Sequence, residues 1–369
     1  MKPEPLQIVI CGLSITSSWG NGHATTYRAL ARELNENGHE VIFLECDRPW
    51  YAENRDLPNP SYAQVRLYSG IDEFRDRFAQ TIAQADVVIV GSYVNDGIAI
   101  GRFVTETAQG VTAFYDIDTP VTLSKLGTPA NEYLSRDLIP RYDLYLSFTG
   151  GPILDVIEQR LGSPRARTLY CSVDPQHYYP EAIEPRWDLA YLGTYSDDRQ
   201  PTVNELLVGS ALEWRDGKFM VAGAQYPREL SWPANVTHVS HLPPHTHRRF
   251  YNEQRFALNV TRQDMIRAGY SPSVRLFEAA ACGTPIISDK WSGLNTIFKI
   301  GTEILVAQNR REVLMLLRDI PESHRRRIGE AARRRVLSEH TARHRALELE
   351  RHLLETRNAM TKRSVIYAH

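Results

Sequence analysis

The sequence predicts an α/β protein of two Rossmann-like domains facing an interdomain cleft, with helices at the C-terminus. Three observations carry that expectation. Short, nearly uninterrupted apolar runs alternate with helical patterns, which is how the strands of a parallel sheet covered on both faces read. A proline-rich stretch without periodicity, DPQHYYPEAIEPRW at 174–187, breaks the pattern. The rhythm then restarts with a strand and a glycine turn. At 369 residues the chain has the length of about two ordinary domains. The expected division is an N-terminal domain at 1–173, a linker at 174–187, a C-terminal domain at 188–340, and a helix and tail at 341–369.

LQIVIC at 6–11, bounded by a glycine-rich segment, reads as a buried strand. Ala24, Tyr27, Leu30, Ala31 and Leu34 then recur at helical spacing, and Asn37-Gly38 stops that helix. Strand-like runs follow at 40–45, 86–91, 110–116, 142–148 and 167–171, with helical stretches around 71–84 and 151–161. After the break come strands at 188–193, 218–223, 235–240, 255–260, 284–289 and 303–307, with a helix near 201–212. Residues 322–357 are helical in pattern and carry ten Arg against six Glu. Their arginines spread around the helix, which suits a solvated surface better than a membrane-binding face.

Composition excludes several classes. The formal charge of −1 gives no global field for nucleic acid or a membrane surface. No run approaches the about 20 apolar residues of a membrane-spanning helix, and the first residues do not read as a secretory signal. Cys11, Cys46, Cys171 and Cys282 are too widely spaced for a zinc or redox pair, so a reduced, cytoplasmic protein is expected.

Three segments could carry chemistry. In AGYSPSVRLFEAAACGTPIISD at 268–289, Ser271-Pro272 fits an N-cap and first helical position, and Gly283 a left-handed stop. The free N–H groups of such a helix start suit a diphosphate. Arg275 could add bidentate contacts to it, and Glu278, one turn on, could accept hydrogen bonds from ribose hydroxyls. The same residues also suit a capped core helix with an Arg275–Glu278 surface pair. The second segment is the loop GLSITSSWGNGHA at 12–24. Gly20 and Gly22 allow close approach of a ligand, Asn21 tolerates turn conformations, Trp19 could stack on a ring, and His23 is a candidate base. Thr25 stands where a dinucleotide fingerprint has its third glycine, which disfavours an NAD-dependent dehydrogenase, although Glu45 and Asp47 follow the second strand. The third is FYDIDTPVTL at 114–123. There Asp116 and Asp118 lie at a strand's carboxyl end, where open α/β sheets bind ligands. HLPPHTH at 241–247 is expected to be a surface loop, because Pro243 and Pro244 disrupt any shared face for its histidines.

LFEAAACGTPIISD resembles the LEAMACGTPVV-type segment of GT-B glycosyltransferases that use nucleotide sugars, the group 1 enzymes and their relatives. CSVDPQHYYP at 171–180 is similar to their GVDxxxFxP linker. YLGTYSDDRQP, LNVTRQDM and SPSVRLFEAAACGTPIISD, with NGHATTYRAL and DIDTPVTL, look closer still to the CgeB-like, spore-maturation-type glycosyltransferases. The resemblance spans most of residues 6–310. It implies a GT-B fold with Glu278 as the ribose-binding carboxylate of the donor and the backbone of Ser271, Ser273 and Val274 near its diphosphate. It also implies positive charge from Arg199 after the Gly193 turn, and the 12–24 loop near the phosphates or the sugar. One departure stands out: retaining enzymes of this kind place a second Glu eight residues before the ribose Glu, and here that position is Tyr270.

The expected function is therefore transfer of a sugar from a nucleotide-diphosphate sugar to an acceptor hydroxyl, with His23, Asp116 and Asp118 as candidate catalytic residues. No metal and no cofactor beyond the donor are expected, since a lone DxD is common by chance. A sugar-nucleotide epimerase of the same fold and a non-catalytic sugar-nucleotide-binding protein are the alternatives. The base, the sugar, the acceptor and the anomeric outcome stay open.

Overall fold

The computed structural model describes residues 4–19 and 22–367, with side chains to residue 361. The chain forms two compact units: residues 1–171 together with 342–369, and residues 172–341.

The first unit is built on a seven-stranded parallel sheet. Its strands are β1 Gln7–Gly12, β2 Glu40–Cys46, β3 Gln64–Tyr68, β4 Val87–Gly91, β5 Val111–Asp116, β6 Leu144–Ser147 and β7 Ala166–Thr168. Their order is β3-β2-β1-β4-β5-β6-β7. In register, Ile10 faces Phe43 on one side and Ile89 on the other. The apolar runs form strands because helices cover both faces, so Val9, Ile10, Phe43, Leu44 and Val88 are all sealed from water. Each large aliphatic or aromatic side chain buried in this way contributes about 2–3 kcal/mol.

The order reverses between β1 and β4, and the loops leaving their carboxyl ends are therefore where a ligand is expected. Helix Gly22–Glu36 buries Ala24, Tyr27, Leu30, Ala31 and Leu34, the face read from the sequence. β3 is absent from the sequence reading. It is an edge strand carrying Gln64 and Arg66, and its half-polar pattern hides it.

The second unit holds a six-stranded parallel sheet of β8 Trp187–Leu192, β9 Phe219–Ala222, β10 Val236–Val239, β11 Gln254–Asn259, β12 Ile286–Ser288 and β13 Leu305–Val306. The strands lie in the order β10-β9-β8-β11-β12-β13. Its order reverses between β8 and β11. Leu189, Tyr191, Phe219, Val221, Phe256 and Leu258 form the core with Leu206, Leu207 and Val313 from its helices.

The arginine-rich stretch is not one helix. It divides into Glu322–Glu339 and Ala342–Tyr367, interrupted at His340 and Thr341. Nor is it wholly solvated: Arg325 is buried, paired with Glu322 and donating to the Arg255 carbonyl at 3.0 Å. The last helix belongs to the first unit. Arg345 donates to the Tyr170 carbonyl at 3.1 Å, and Glu350 meets His39 Nε2 at 3.1 Å. All four cysteines are buried and none forms a disulfide. No helix among the described residues is long and apolar enough to cross a membrane.

Candidate functional site

In the second unit, the carboxyl ends of β8, β11 and β12 converge on the start of helix Val274–Ala281. That helix begins later than the sequence suggests. Its N-cap is Ser273 and not Ser271, and Pro272 lies outside it. The chain before it is held in a turn: Gly269 and Tyr270 are both left-handed, and the Tyr270 N–H donates to the Ser292 carbonyl at 2.6 Å. Ser271 is buried by this turn. A left-handed tyrosine is a strained residue, which proteins retain mainly at functional sites. Its ring lies on Gly293, where any Cβ would come within 2.4 Å of it.

The hub of the site is Asn259, fully buried at the end of β11. Its Oδ1 accepts from Ser273 Oγ at 2.8 Å and from Arg275 Nη1 at 3.2 Å, while its Nδ2 donates to Ser288 Oγ at 2.9 Å. Buried Asp289 holds the neighbouring Thr261 through its N–H and hydroxyl, both at 2.8 Å. Arg275 turns back across the end of β8, its Nε donating to the Leu192 carbonyl and its guanidinium stacked on the Tyr191 ring. A side chain at Gly193 would meet the Tyr191 hydroxyl at 2.4 Å and Arg275 Nη2 at 3.0 Å, so the turn after β8 needs glycine.

Arg199 donates to the Thr194 carbonyl at 2.6 Å. Burial lowers its guanidinium from the ordinary arginine range, and the like charges of Arg275 and Arg262 add to that. Asp198 assembles this cluster. Its Oδ2 accepts from the Gln263 N–H at 2.9 Å and so ties the segment after β8 to the turn carrying Arg262. Three arginines thus meet at the carboxyl end of a parallel sheet, an arrangement suited to a polyanion.

Glu278 does not pair with Arg275, and no surface pair forms. It is buried and accepts from the Tyr251 hydroxyl at 2.9 Å. Tyr178, at the aromatic position of the linker motif, brings a second phenol; burial and then the Glu278 charge push that phenol well up. A buried carboxylate with no cation on it costs several kcal/mol unless hydrogen bonds compensate.

In the first unit, the loop after β1 is braced from below. Glu45, fully buried, accepts from the Ile15 N–H at 2.7 Å, Thr16 Oγ1 at 2.6 Å and Ser14 Oγ at 3.0 Å. Its carboxylate is spent on the loop, which removes the ribose contact a dehydrogenase would need. Asp56 receives the Ser18 N–H at 2.9 Å and the Arg28 guanidinium at 2.8 and 2.9 Å. Against the opposing effect of burial, these donors hold Asp56 well below the carboxylate range. Trp19 stands 52% exposed at the end of this scaffold, and Gly22 opens the following helix. Gly20 and Asn21 lie outside the described residues. Hydrogen bonds from the Trp19 N–H to Ser17 Oγ, from Ser17 Oγ to the Asn54 carbonyl, and from Asn54 Nδ2 to the Trp50 carbonyl link Trp19 to a second exposed tryptophan.

His23, Asp116 and Asp118 do gather, but with unequal freedom. Asp116, sealed from water, accepts from the Tyr145 hydroxyl at 2.5 Å, Thr122 Oγ1 at 2.7 Å and the Asp118 N–H at 3.2 Å. Burial raises it to about 6 even so. Sealed from water and held by three donors, Asp116 fixes the loop in place. Asp118 is only partly buried and receives the Tyr93 hydroxyl at 3.0 Å. Tyr93 is itself left-handed, its ring 4.7 Å from Tyr133 and 5.2 Å from His23. Burial lowers the His23 imidazole from its ordinary value, against the pull of Asp118. Sequence reasoning missed Tyr93, Tyr133, Asn259, Arg262 and Tyr251. Two of them, Asn259 and Arg262, lie inside LNVTRQDM, whose signal in the sequence is its resemblance alone. In the HLPPHTH stretch, His247 meets the Leu242 carbonyl at 3.0 Å, and among the described residues no group of three or more His, Cys, Asp or Glu side chains could hold a metal ion.

Two parallel α/β sheets of this order define the GT-B fold, and whole-chain comparison agrees. Sucrose-phosphate synthase from Thermosynechococcus elongatus superposes with a TM-score of 0.67 at 15% identity, covering 99% of this chain and 100% of the other. HepE of Anabaena, solved in complex with UDP and glucose, gives 0.68 at 10% identity over 95% of this chain and 100% of its own. An alpha-glucosyltransferase in complex with UDP gives 0.69 at 11% identity, with 95% and 100% covered. Residues 199–351 match the family described as Glycosyl transferase-like. No curated protein matches the chain in sequence.

Proposed function

We propose that this protein is a glycosyltransferase that moves a sugar from a nucleotide-diphosphate sugar to an acceptor hydroxyl. The observation that carries this reading is the pairing, at the carboxyl end of one sheet, of a buried carboxylate with no cation on it among the described residues and a cluster of three arginines. Glu278 accepts the ribose hydroxyls; Arg199, Arg262 and Arg275 with the N–H groups at Ser273 and Val274 take the diphosphate. The two neighbours holding UDP support a nucleotide donor.

In the transfer, Asp118 or His23 takes the proton of the acceptor hydroxyl as its oxygen bonds to the anomeric carbon. The bond from that carbon to the diphosphate breaks, and the arginines stabilise the charge that leaves with it. They do so as fixed cations, which makes the reaction independent of a metal. Asp116 positions Asp118, and Trp19 offers an apolar face to the acceptor. On the resemblance of its segments, the chain belongs with the CgeB-like enzymes and transfers a hexose; its four widely spaced cysteines suit the reducing cytoplasm.

Calorimetric titration with UDP, GDP, ADP and their sugars tests the donor site. One of them is expected to bind, without a requirement for divalent metal, and Glu278→Ala to weaken it at least tenfold. Wild-type affinity in that variant would show the assignment to be wrong. Tyr270 at the place of the upstream acid favours a second reading, donor binding without transfer. Release of free nucleoside diphosphate from a bound sugar nucleotide distinguishes the two.

A further inference from the structure

The geometry points to Tyr251, seconded by Tyr178, as the residue that positions the donor-binding carboxylate and thereby selects ribonucleotides over nucleotides lacking ribose hydroxyls. The inference rests on the reading of Glu278 as the ribose acceptor and adds what holds it ready.

Glu278 lies on helix Val274–Ala281 with 6% of its surface exposed. The nearest cation on that helix, Arg275, is committed elsewhere, to the Leu192 carbonyl, Asn259 Oδ1 and the Tyr191 ring. The carboxylate is therefore compensated by phenols. Tyr251, from helix His247–Asn252, is sealed from water and gives its hydroxyl proton to Oε2 at 2.9 Å. The Tyr251 backbone is fixed in turn by Thr284 Oγ1, which donates to its carbonyl at 2.7 Å. Tyr178 approaches from the segment preceding β8, its ring centroid 6.4 Å from that of Tyr251.

A phenol can donate one hydrogen bond and no more. Donation by Tyr251 thus orients the carboxylate and leaves its other lone pairs as acceptors only. A vicinal diol, with two donors, is the chemistry that completes such a group. A cation is not called for, and a phosphate would be repelled. Without the phenol, the carboxylate can rotate and rehydrate, and the diol must then order it on binding at a cost in affinity.

The test compares binding of UDP, GDP and ADP, each with its 2′,3′-dideoxy counterpart, by calorimetry, using the nucleotide that binds wild type best. Wild type is expected to prefer the ribonucleotide by more than tenfold. Tyr251→Phe should bind the ribonucleotide about tenfold more weakly, the size of one hydrogen bond to a charged group, and bind the dideoxy form as wild type does. Equal losses for both forms, or no loss, would overturn the positioning role while leaving Glu278 in place. If Glu278→Gln keeps the full preference for the ribonucleotide, or wild type shows none, the ribose reading itself fails and this inference with it. Tyr178→Phe, measured in the same way, is expected to show the same selective loss at smaller size; it decides the matter if Tyr251→Phe does not fold.

Discussion

The Arg275 guanidinium lies over the Tyr191 ring, 5.0 Å from its centroid, while the same group bonds the Leu192 carbonyl and Asn259. One arginine therefore fastens the start of helix Val274–Ala281 to the end of β8. Lysine keeps the charge but cannot stack flat and reach two acceptors at once. Arg275→Lys is expected to lower the thermal midpoint, at a cost of about 1–2 kcal/mol, and to weaken nucleoside-diphosphate binding about tenfold. Differential scanning fluorimetry with and without UDP checks both.

Arg262 makes no ion pair among the described residues, yet its charge is felt by Arg199. Its loss should leave the fold alone and act on the anion. Arg262→Ala is expected to weaken UDP five- to tenfold, to weaken UMP less, and to flatten the salt dependence of UDP binding. Equal effects on UMP and UDP would remove Arg262 from the diphosphate site.

Tyr270 combines a strained backbone with a ring clamped on Gly293. Strain of this kind, about 1–3 kcal/mol, is retained where the side chain does something a relaxed residue cannot. Tyr270→Gly is expected to raise or hold the thermal midpoint, leave UDP affinity unchanged, and weaken the UDP-sugar. A fall in UDP affinity as large as that for the sugar nucleotide would show Tyr270 to be scaffolding.

Asp116 and Asp118 should part company in a pH and activity experiment. The fold raises Asp116 from 3.8 to about 6, so the folded chain holds that proton more tightly than the unfolded one. Its contribution to stability is full below pH 4 and is lost as pH rises through 6, a change on the order of 3 kcal/mol. Asp116→Asn should flatten that part of the stability profile measured by urea denaturation between pH 4 and 7. Asp118→Asn should reduce turnover at least a hundredfold with donor affinity intact.

The buried strands were legible because a parallel sheet covered on both faces needs runs such as QIVIC and DVVIV, which few other structures tolerate. β3 was not, since Gln64 and Arg66 at a sheet edge obey no such constraint. The start of helix Val274–Ala281 was placed too early because Ser271-Pro272 is a sound local signal. The turn at Gly269 and Tyr270, pinned by Ser292 from another loop, overrides it. Glu278 was found through helix spacing and resemblance, but the phenols that hold it come from 27 and 100 residues earlier in the chain, a proximity no local pattern announces. In the sequence Asp116 and Asp118 look alike, two carboxylates at one strand end. Only burial separates Asp116, which holds the loop, from the half-buried Asp118.

Because helix Ala342–Tyr367 completes the unit that opens with β1, the second unit is spliced into the first as an insertion. Synthesis therefore finishes the two in the reverse of the order in which they begin. The second unit has its whole sequence on leaving the ribosome, while the first waits with Tyr115 and His39 lacking Arg345 and Glu350 until the last helix arrives. A nascent chain of this design passes through a state in which the inserted unit is complete and the enclosing one is still unfinished.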